Sequence, residues 1–177
     1  MRLSLPMKIL TIVFGTLVLN MFDASNCRAD ETVMEAMLRA ERLGKLRLEL
    51  PEKEVLKLLG SPATRGKLVF QEADGNYVQD WHYPDKGIEL LMSAGEKKSG
   101  VKTIANITAS APCTFATRKG IKIGDTESAA RKAYAEHVDR ETSADPGVLV
   151  VGSIYDGIIF NFIKGKVNRI FFGAAAE

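Results

Sequence analysis

Few residues of this chain belong to the types that catalyse reactions or bind metals. It has two histidines, His82 and His137, and two cysteines, Cys27 and Cys113. A zinc site needs several ligands at workable spacing, and the sequence has neither a Cys-x-x-Cys nor a His-Glu-x-x-His motif. A nucleophilic Cys113 would need a histidine as its base, but its neighbours match no protease signature. We therefore predict no catalytic residue, no metal site and no cofactor, and a buried thiol at Cys113.

Side-chain alternation along the predicted strands is more informative about function. Asp80 and His82 alternate with the aromatic residues of the segment 77–83, so they point to the other side of the sheet. Glu89 alternates with aliphatic residues in the next strand, and Lys102 lies on the less apolar side of the strand after that. This polar side is either the solvated side of a half-buried sheet or a partner-binding surface formed by these four residues.

A helix followed by four strands is predicted in residues 46–111. Pro51 suits the first turn of a helix, and Gly60 followed by Pro62 ends it. Val55, Leu58 and Leu59 are spaced to form one apolar helix face. Turn residues then separate runs with strand character, at 67–72, 77–83, 88–92 and 101–107.

Residues 112–177 repeat this plan. Asp125 or Thr126 can cap a helix whose inner face is formed by small residues and one tyrosine, namely Ala129, Ala130, Ala133 and Tyr134. Strands follow at 148–151, 158–163 and 167–172. The helix starts align at an offset of 75 residues, and the segments that begin at Gly87 and Gly157 align at an offset of 70. The sequence thus predicts an α+β fold of two tandem repeats, each a helix packed on an antiparallel sheet.

The first 29 residues have the layout of a signal peptide. Arg2 and Lys8 precede an apolar run, and small residues follow it. Cleavage before Asp30 would release the remainder, whereas cleavage before Cys27 would leave that cysteine open to lipidation. An uncleaved anchor is a third reading, although the apolar run is short for a membrane span. A helix outside the repeat is predicted within residues 30–45, from Glu31 through Gly44.

The charge balance excludes a nucleic-acid partner. The 24 basic and 22 acidic residues include three bases and one acid before residue 30, so the remainder is neutral. A neutral chain has no positive field that would attract nucleic acid or anionic lipid. Contact with a membrane is expected only if Cys27 is lipidated.

The helix starts resemble a motif of the outer-membrane assembly lipoproteins (the SmpA/OmlA, BamE-like family), of the form Gly-x-Thr-x-x-Glu-Val-x-x-x-Leu-Gly-x-Pro. Glu49 and Pro51 replace the Gly and Thr in the first repeat, and Gly124 and Thr126 supply them in the second. The first repeat provides the rest of the motif, at Glu54, Val55, Leu59, Gly60 and Pro62. Trp81-His82-Tyr83 is similar to the aromatic pair in the sheet of that family. The tandem arrangement is similar to that of β-lactamase inhibitor proteins.

These observations predict an exported protein, periplasmic or secreted, that binds a protein partner in the cell envelope and catalyses no reaction. Two alternatives remain. One is a small-ligand carrier or enzyme with a pocket between the repeats, in which His82, Cys113 or paired carboxylates would meet. The other is an inhibitor of a secreted enzyme.

Overall fold

The computed structural model describes residues 36, 37, 39–139, 142–144 and 147–175. They form an α+β fold with one antiparallel sheet of eight strands and, besides the helical residues 36, 37, 39 and 40, two helices, α1 (Glu52–Leu59) and α2 (Glu127–Ala133). The strands are β1 (Thr64–Arg65), β2 (Val69–Gln71), β3 (Asn76–Tyr83), β4 (Ile88–Ser93), β5 (Thr103–Ser110), β6 (Val148–Gly152), β7 (Gly157–Ile163) and β8 (Lys166–Gly173). The predicted signal peptide, with Cys27, lies outside the described residues.

The two halves of the chain meet in the middle of the sheet. The strand order is β1-β3-β4-β5-β8-β7-β6, and β2 also pairs with β3. Each half contributes a meander of three strands, and the last strands of the two halves, β5 and β8, pair antiparallel at the centre. Ile107 pairs with Phe172 and Ala109 with Ile170 across this seam.

The backbone before α1 is bonded to the start of β5. The Glu49 N–H donates to the carbonyl of Ile104 (2.8 Å), and the Ile104 N–H donates to that of Leu50 (3.1 Å). The Glu52 N–H donates to the carbonyl of Lys102 (2.8 Å). Glu49 has a φ of 62°, in the left-handed region where most side chains are strained.

The backbone before α2 is bonded to the start of β8 with the same pattern. The Gly124 N–H donates to the carbonyl of Val167 (2.8 Å), and the Val167 N–H donates to that of Asp125 (2.8 Å). The Glu127 N–H donates to the carbonyl of Gly165 (2.9 Å). Gly124 has a φ of 89°, which glycine adopts without steric cost.

One continuous hydrophobic core lies between the sheet and the helices. Val55 and Leu59 of α1 join it at one end, and Ala130 and Tyr134 join it at the other. Under α1, the Tyr83 hydroxyl donates to the carbonyl of Gly60 (3.1 Å), an acceptor that the helix end leaves without a helical partner. The core is therefore shared by both halves.

Several predicted boundaries were wrong. Of the residues expected to form the N-terminal helix, 36, 37, 39 and 40 are helical, but the chain leaves the helix before Glu41, and Leu43 bridges Leu46 and Thr117. Leu58, assigned to the buried face of α1, is exposed. Strand β1 was not predicted. Strand β5 begins later than expected, because Thr103 rather than Val101 starts its pairing with β4, and it also ends later than expected.

Candidate functional site

The sheet has two faces with different environments. On the helix side, buried residues of both halves join the core, for example Trp81, Leu90 and Phe160. Residues of the other parity point away from the helices. We call this second side the open face. It carries Asp80 and His82 on β3, and Glu89 and Leu91 on β4.

The open face is partly covered over the second half of the chain. Val150 on β6 is buried there, and the segment 142–144 lies against it. The Ser143 hydroxyl accepts from the Val150 N–H (2.9 Å), and the Asp139 N–H donates to the carbonyl of Val150 (2.9 Å). Phe171 on β8 is also buried, with the Arg169 guanidinium 5.5 Å from its ring centroid. This part of the face is therefore partly shielded from solvent by the chain itself, although Arg169 stays exposed.

A row of polar side chains crosses the uncovered part of the open face. His82 pairs with Glu89 across β3 and β4, and Glu89 pairs with Thr108 on β5. The His82 Nδ1 lies 3.9 Å from the Glu89 Oε1, and the Arg169 Nη2 donates to the Thr108 hydroxyl (3.4 Å). The side chains of His82 and Glu89 remain 43% and 65% exposed. We call His82, Glu89, Thr108 and Arg169 the polar row.

The four predicted site residues do not form one cluster. Asp80 is exposed and lies two residues from His82 on β3, next to the polar row. Lys102 lies just before β5, and its Nζ is 3.8 Å from the Glu52 Oε2 at the start of α1. Thr103 is on the open face, as Glu89 is, and successive residues of a strand point to opposite faces. Its neighbour Lys102 is therefore on the helix side. The structure therefore brings Asp80, His82 and Glu89 together and places Lys102 elsewhere.

Cys113 is a buried free thiol, as predicted. Burial raises its pKa, and a backbone hydrogen bond at Phe115 only partly offsets this effect. The thiol is therefore protonated at neutral pH and is a poor nucleophile. The depression that contains His82 and Glu89 has a volume of about 240 Å³, and Cys113 does not line it. The arrangement gives no nucleophile–base pair.

A buried polar cluster was missed in the sequence. Glu41 is 4% exposed, and one of its carboxylate oxygens accepts from the N–H groups of Arg118 (2.7 Å) and Arg42 (3.0 Å). The other accepts from the hydroxyl of Tyr134 (3.0 Å), which is fully buried. Burial raises the pKa of Tyr134, the Glu41 carboxylate adds to this shift, and hydrogen bonds with Thr117 and Lys119 oppose it. The tyrosine is therefore a neutral donor at neutral pH.

The described part of the chain shows no metal cluster and no membrane helix. No three His, Cys, Asp or Glu side chains of these residues are placed to hold a metal ion. Within the same ranges, no helix has the length and hydropathy needed to span a bilayer. Comparison with protein families, with curated proteins and with solved structures gives no match for this chain.

Proposed function

We propose that the chain is a non-catalytic protein-binding module of the cell envelope, and that the uncovered part of its open face contacts the partner. The polar row is the observation that carries this proposal. Its residues are held on paired strands, so their positions are rigid, yet His82 and Glu89 keep large exposed fractions. A rigid, mixed-charge surface suits specific contact with another protein.

The location in the envelope rests on the sequence. The predicted signal peptide implies export, and the resemblance to outer-membrane assembly lipoproteins implies a partner at the outer membrane. Lipidation of Cys27 would hold the module at a membrane surface, whereas cleavage before Asp30 would release it. Mass spectrometry of the exported protein distinguishes the two, because the chain then begins either at a lipidated Cys27 or at Asp30.

We also propose that the fold is a tandem of two equivalent units. The hydrogen bonds before α1 and α2 support this, because the same three bonds recur at offsets of 75 residues on the helix side and 63 on the strand side. Val55 and Leu59 correspond to Ala130 and Tyr134 at the same offset of 75. Because β5 and β8 pair antiparallel, the two proposed units are related to each other by an approximate two-fold rotation in the sheet.

Equivalent helix starts predict opposite effects of substitution at Glu49 and Gly124. A left-handed φ costs a residue with a side chain about 1–2 kcal/mol, and Glu49→Gly would remove this strain. Part of the gain is offset because glycine has more conformational freedom in the unfolded chain, so the expected net stabilisation is about 1 kcal/mol. The matched variant Gly124→Ala is expected to destabilise it by about 1 kcal/mol through strain alone, since no atom lies within 4 Å of the added Cβ. Urea unfolding of both variants measures the two effects. A destabilised Glu49→Gly would contradict the equivalence.

The proposed function is tested by charge reversal on the polar row. Wild-type full-length protein and the variants Glu89→Lys and Arg169→Glu are cross-linked in envelope extract, and the recovered proteins are quantified by mass spectrometry. We expect a specific partner whose recovery falls about tenfold with either variant, which corresponds to the loss of one strong contact. Lys53→Glu, on the exposed side of α1, is the control and should leave recovery unchanged. A partner recovered equally with all variants, or no partner with the wild type, would contradict the proposal.

A further inference from the structure

Strand β2 lies at an edge of the sheet with one side unpaired. It pairs with β3, and no other strand of the described residues pairs with it. Phe70 packs on Tyr77 on the helix side, with 5.0 Å between ring centroids, and its neighbour Val69 points to the open face. Val69 and Phe70 are 52% and 51% exposed, so β2 is accessible on both faces. We call residues 65–74, which contain β2, the edge segment.

The backbone groups of Phe70 point away from the sheet. On the other side of β3, the Ala94 N–H donates to the carbonyl of Tyr77 (2.8 Å), so Tyr77 directs its backbone groups toward β4. Phe70 is the residue of β2 that pairs with Tyr77. Because hydrogen-bonded pairs alternate in an antiparallel ladder, β2 is bonded to β3 through Val69 and Gln71 instead. The N–H and C=O of Phe70 therefore face the outer edge, where a further strand can pair with them.

The edge segment is apolar at its centre and carries opposite charges at its two ends. The central residues are Leu68, Val69 and Phe70, the basic end holds Arg65 and Lys67, and the acidic end holds Glu72 and Asp74. All four charged side chains are exposed, and within the described ranges none of them forms an ion pair. Antiparallel pairing with a second copy brings the basic end of each segment beside the acidic end of the other, whereas parallel pairing would bring like charges together.

A two-fold axis at Val69 gives the best match between two edge segments. Val69 then lies opposite Val69 of the second copy, and Leu68 lies opposite Phe70 on both sides of the axis. The apolar centre thus pairs with itself, and the Phe70 backbone bonds to that of Leu68. An axis at Phe70 would instead place Leu68 opposite the charged Glu72, which is unfavourable.

We propose that two copies of this chain associate through antiparallel pairing of their edge segments, so that their sheets join into one. The arrangement closes after two copies, because each copy uses its edge segment once. The contact is small, and we expect a dissociation constant on the order of 10 µM. This association goes beyond the proposed function and does not depend on it, since it needs no other protein.

Analytical ultracentrifugation of the protein recovered after export tests the proposal, at concentrations from about 1 to about 200 µM. We expect a monomer–dimer equilibrium. Val69→Lys would place two like charges opposite each other at the axis and remove apolar contact there, and it is expected to weaken the dimer at least about tenfold. Ile163→Lys is the matched control, because Ile163 is a similarly exposed apolar residue, 57% accessible, at the end of β7. It should change the dissociation constant less than about twofold.

Charge reversal tests the antiparallel direction. Lys67→Glu and Glu72→Lys are each expected to weaken the dimer about threefold or more, because every change acts twice across the two-fold axis. The combined variant keeps opposite charges at the two ends and should return to within about twofold of the wild type. Losses that add in the combined variant would contradict the pairing.

A disulfide tests the position of the axis. Residues opposite each other in a non-hydrogen-bonded antiparallel pair have Cα atoms about 4.5 Å apart, which is within disulfide range. Val69→Cys is therefore expected to form a covalent dimer on mild oxidation. Val101→Cys, at a residue that is 70% exposed and outside the edge segment, should form no more than the wild type, whose own Cys27 and Cys113 set the background.

The remaining outcomes separate this proposal from the proposed function. A monomer at every concentration, equal weakening by Val69→Lys and Ile163→Lys, or assemblies that grow beyond the dimer would overturn the inference. If the protein is monomeric and Val69→Lys loses the envelope partner, the edge segment binds that partner, so the inference fails while the proposed function stands. If the dimer behaves as expected but the wild type recovers no envelope partner, the inference stands and the proposed function fails.

Discussion

Replacing Gly87 by alanine is expected to destabilise the protein by about 4 kcal/mol, through backbone strain and overpacking together. Gly87 has a φ of 61°, and a Cβ there would lie 2.2 Å from the carbonyl oxygen of Ser110. It would also lie 2.7 Å from the backbone nitrogen of Cys113 and 2.8 Å from that of Pro112. All three are backbone atoms, so no side chain can move aside to make room.

The strand pairing prevents the backbone from relaxing. The Ser110 N–H donates to the carbonyl of Gly87 (2.9 Å), and the Cys113 N–H donates to that of Ser110 (2.8 Å). Moving Gly87 away from Ser110 would therefore break the bond that joins the start of β4 to the end of β5. The Gly87→Ala variant would have either the clash or the broken hydrogen bond, and each of these lowers the free energy of unfolding.

Gly75→Ala is the matched control for Gly87→Ala. Gly75 also has a left-handed φ, of 69°, but no atom lies within 4 Å of an added Cβ. It is expected to cost about 1 kcal/mol, the strain of the backbone conformation alone. In thermal unfolding the Gly87 variant should lose about 10 °C and the control about 3 °C. Equal losses for the two variants would mean that the close approach at Gly87 is absent.

Glu41→Ala is expected to destabilise the protein by about 3 kcal/mol. The substitution removes the acceptor of the buried Tyr134 hydroxyl and of the part-buried Arg118 N–H, and leaves both donors without that partner. Each unsatisfied buried group costs about 1–3 kcal/mol. Urea unfolding measures the loss, and Glu96→Ala, at an exposed turn position, is the control and should stay within about 0.5 kcal/mol of the wild type.

A double-mutant cycle isolates the contact between Glu41 and Tyr134. Tyr134→Phe keeps the ring, which packs 5.2 Å from that of Phe160, and removes the hydroxyl. We expect a coupling energy of about 1–2 kcal/mol between Glu41→Ala and Tyr134→Phe, because the hydroxyl donates to a carboxylate. Additive effects would show that the 3.0 Å hydrogen bond contributes nothing to stability.

Local signals in the sequence were enough to predict much of the fold. Pro51, Gly60 and Pro62 bracket α1 correctly to within a residue or two, because capping and helix termination depend on neighbouring residues. The α+β class and the strands β3, β4, β7 and β8 were predicted for the same reason. The pairing of β5 with β8 depends on residues about 60 positions apart, and no local pattern specifies it.

The candidate site shows where strand alternation fails as a guide. Lys102 and Asn106 are four residues apart, so uninterrupted alternation would place them on one face. A bulge in β5 intervenes, since Leu91 pairs with Asn106 but Met92 pairs with Ile104. The extra residue moves Lys102 to the helix side and leaves Asn106 on the open face. Arg169 was not predicted as a site residue, because it joins the polar row only through the pairing of β5 with β8, which no local pattern specifies.

The central position of β8 has a consequence for synthesis at the ribosome. Every other strand of the sheet is made before it, yet both β5 and β7 need it as a partner. Until residues 166–173 emerge, the nascent chain has two unpaired inner edges, and the backbone before α2 lacks its bonds to Val167. Folding of the complete sheet must therefore follow translation of nearly the whole described chain.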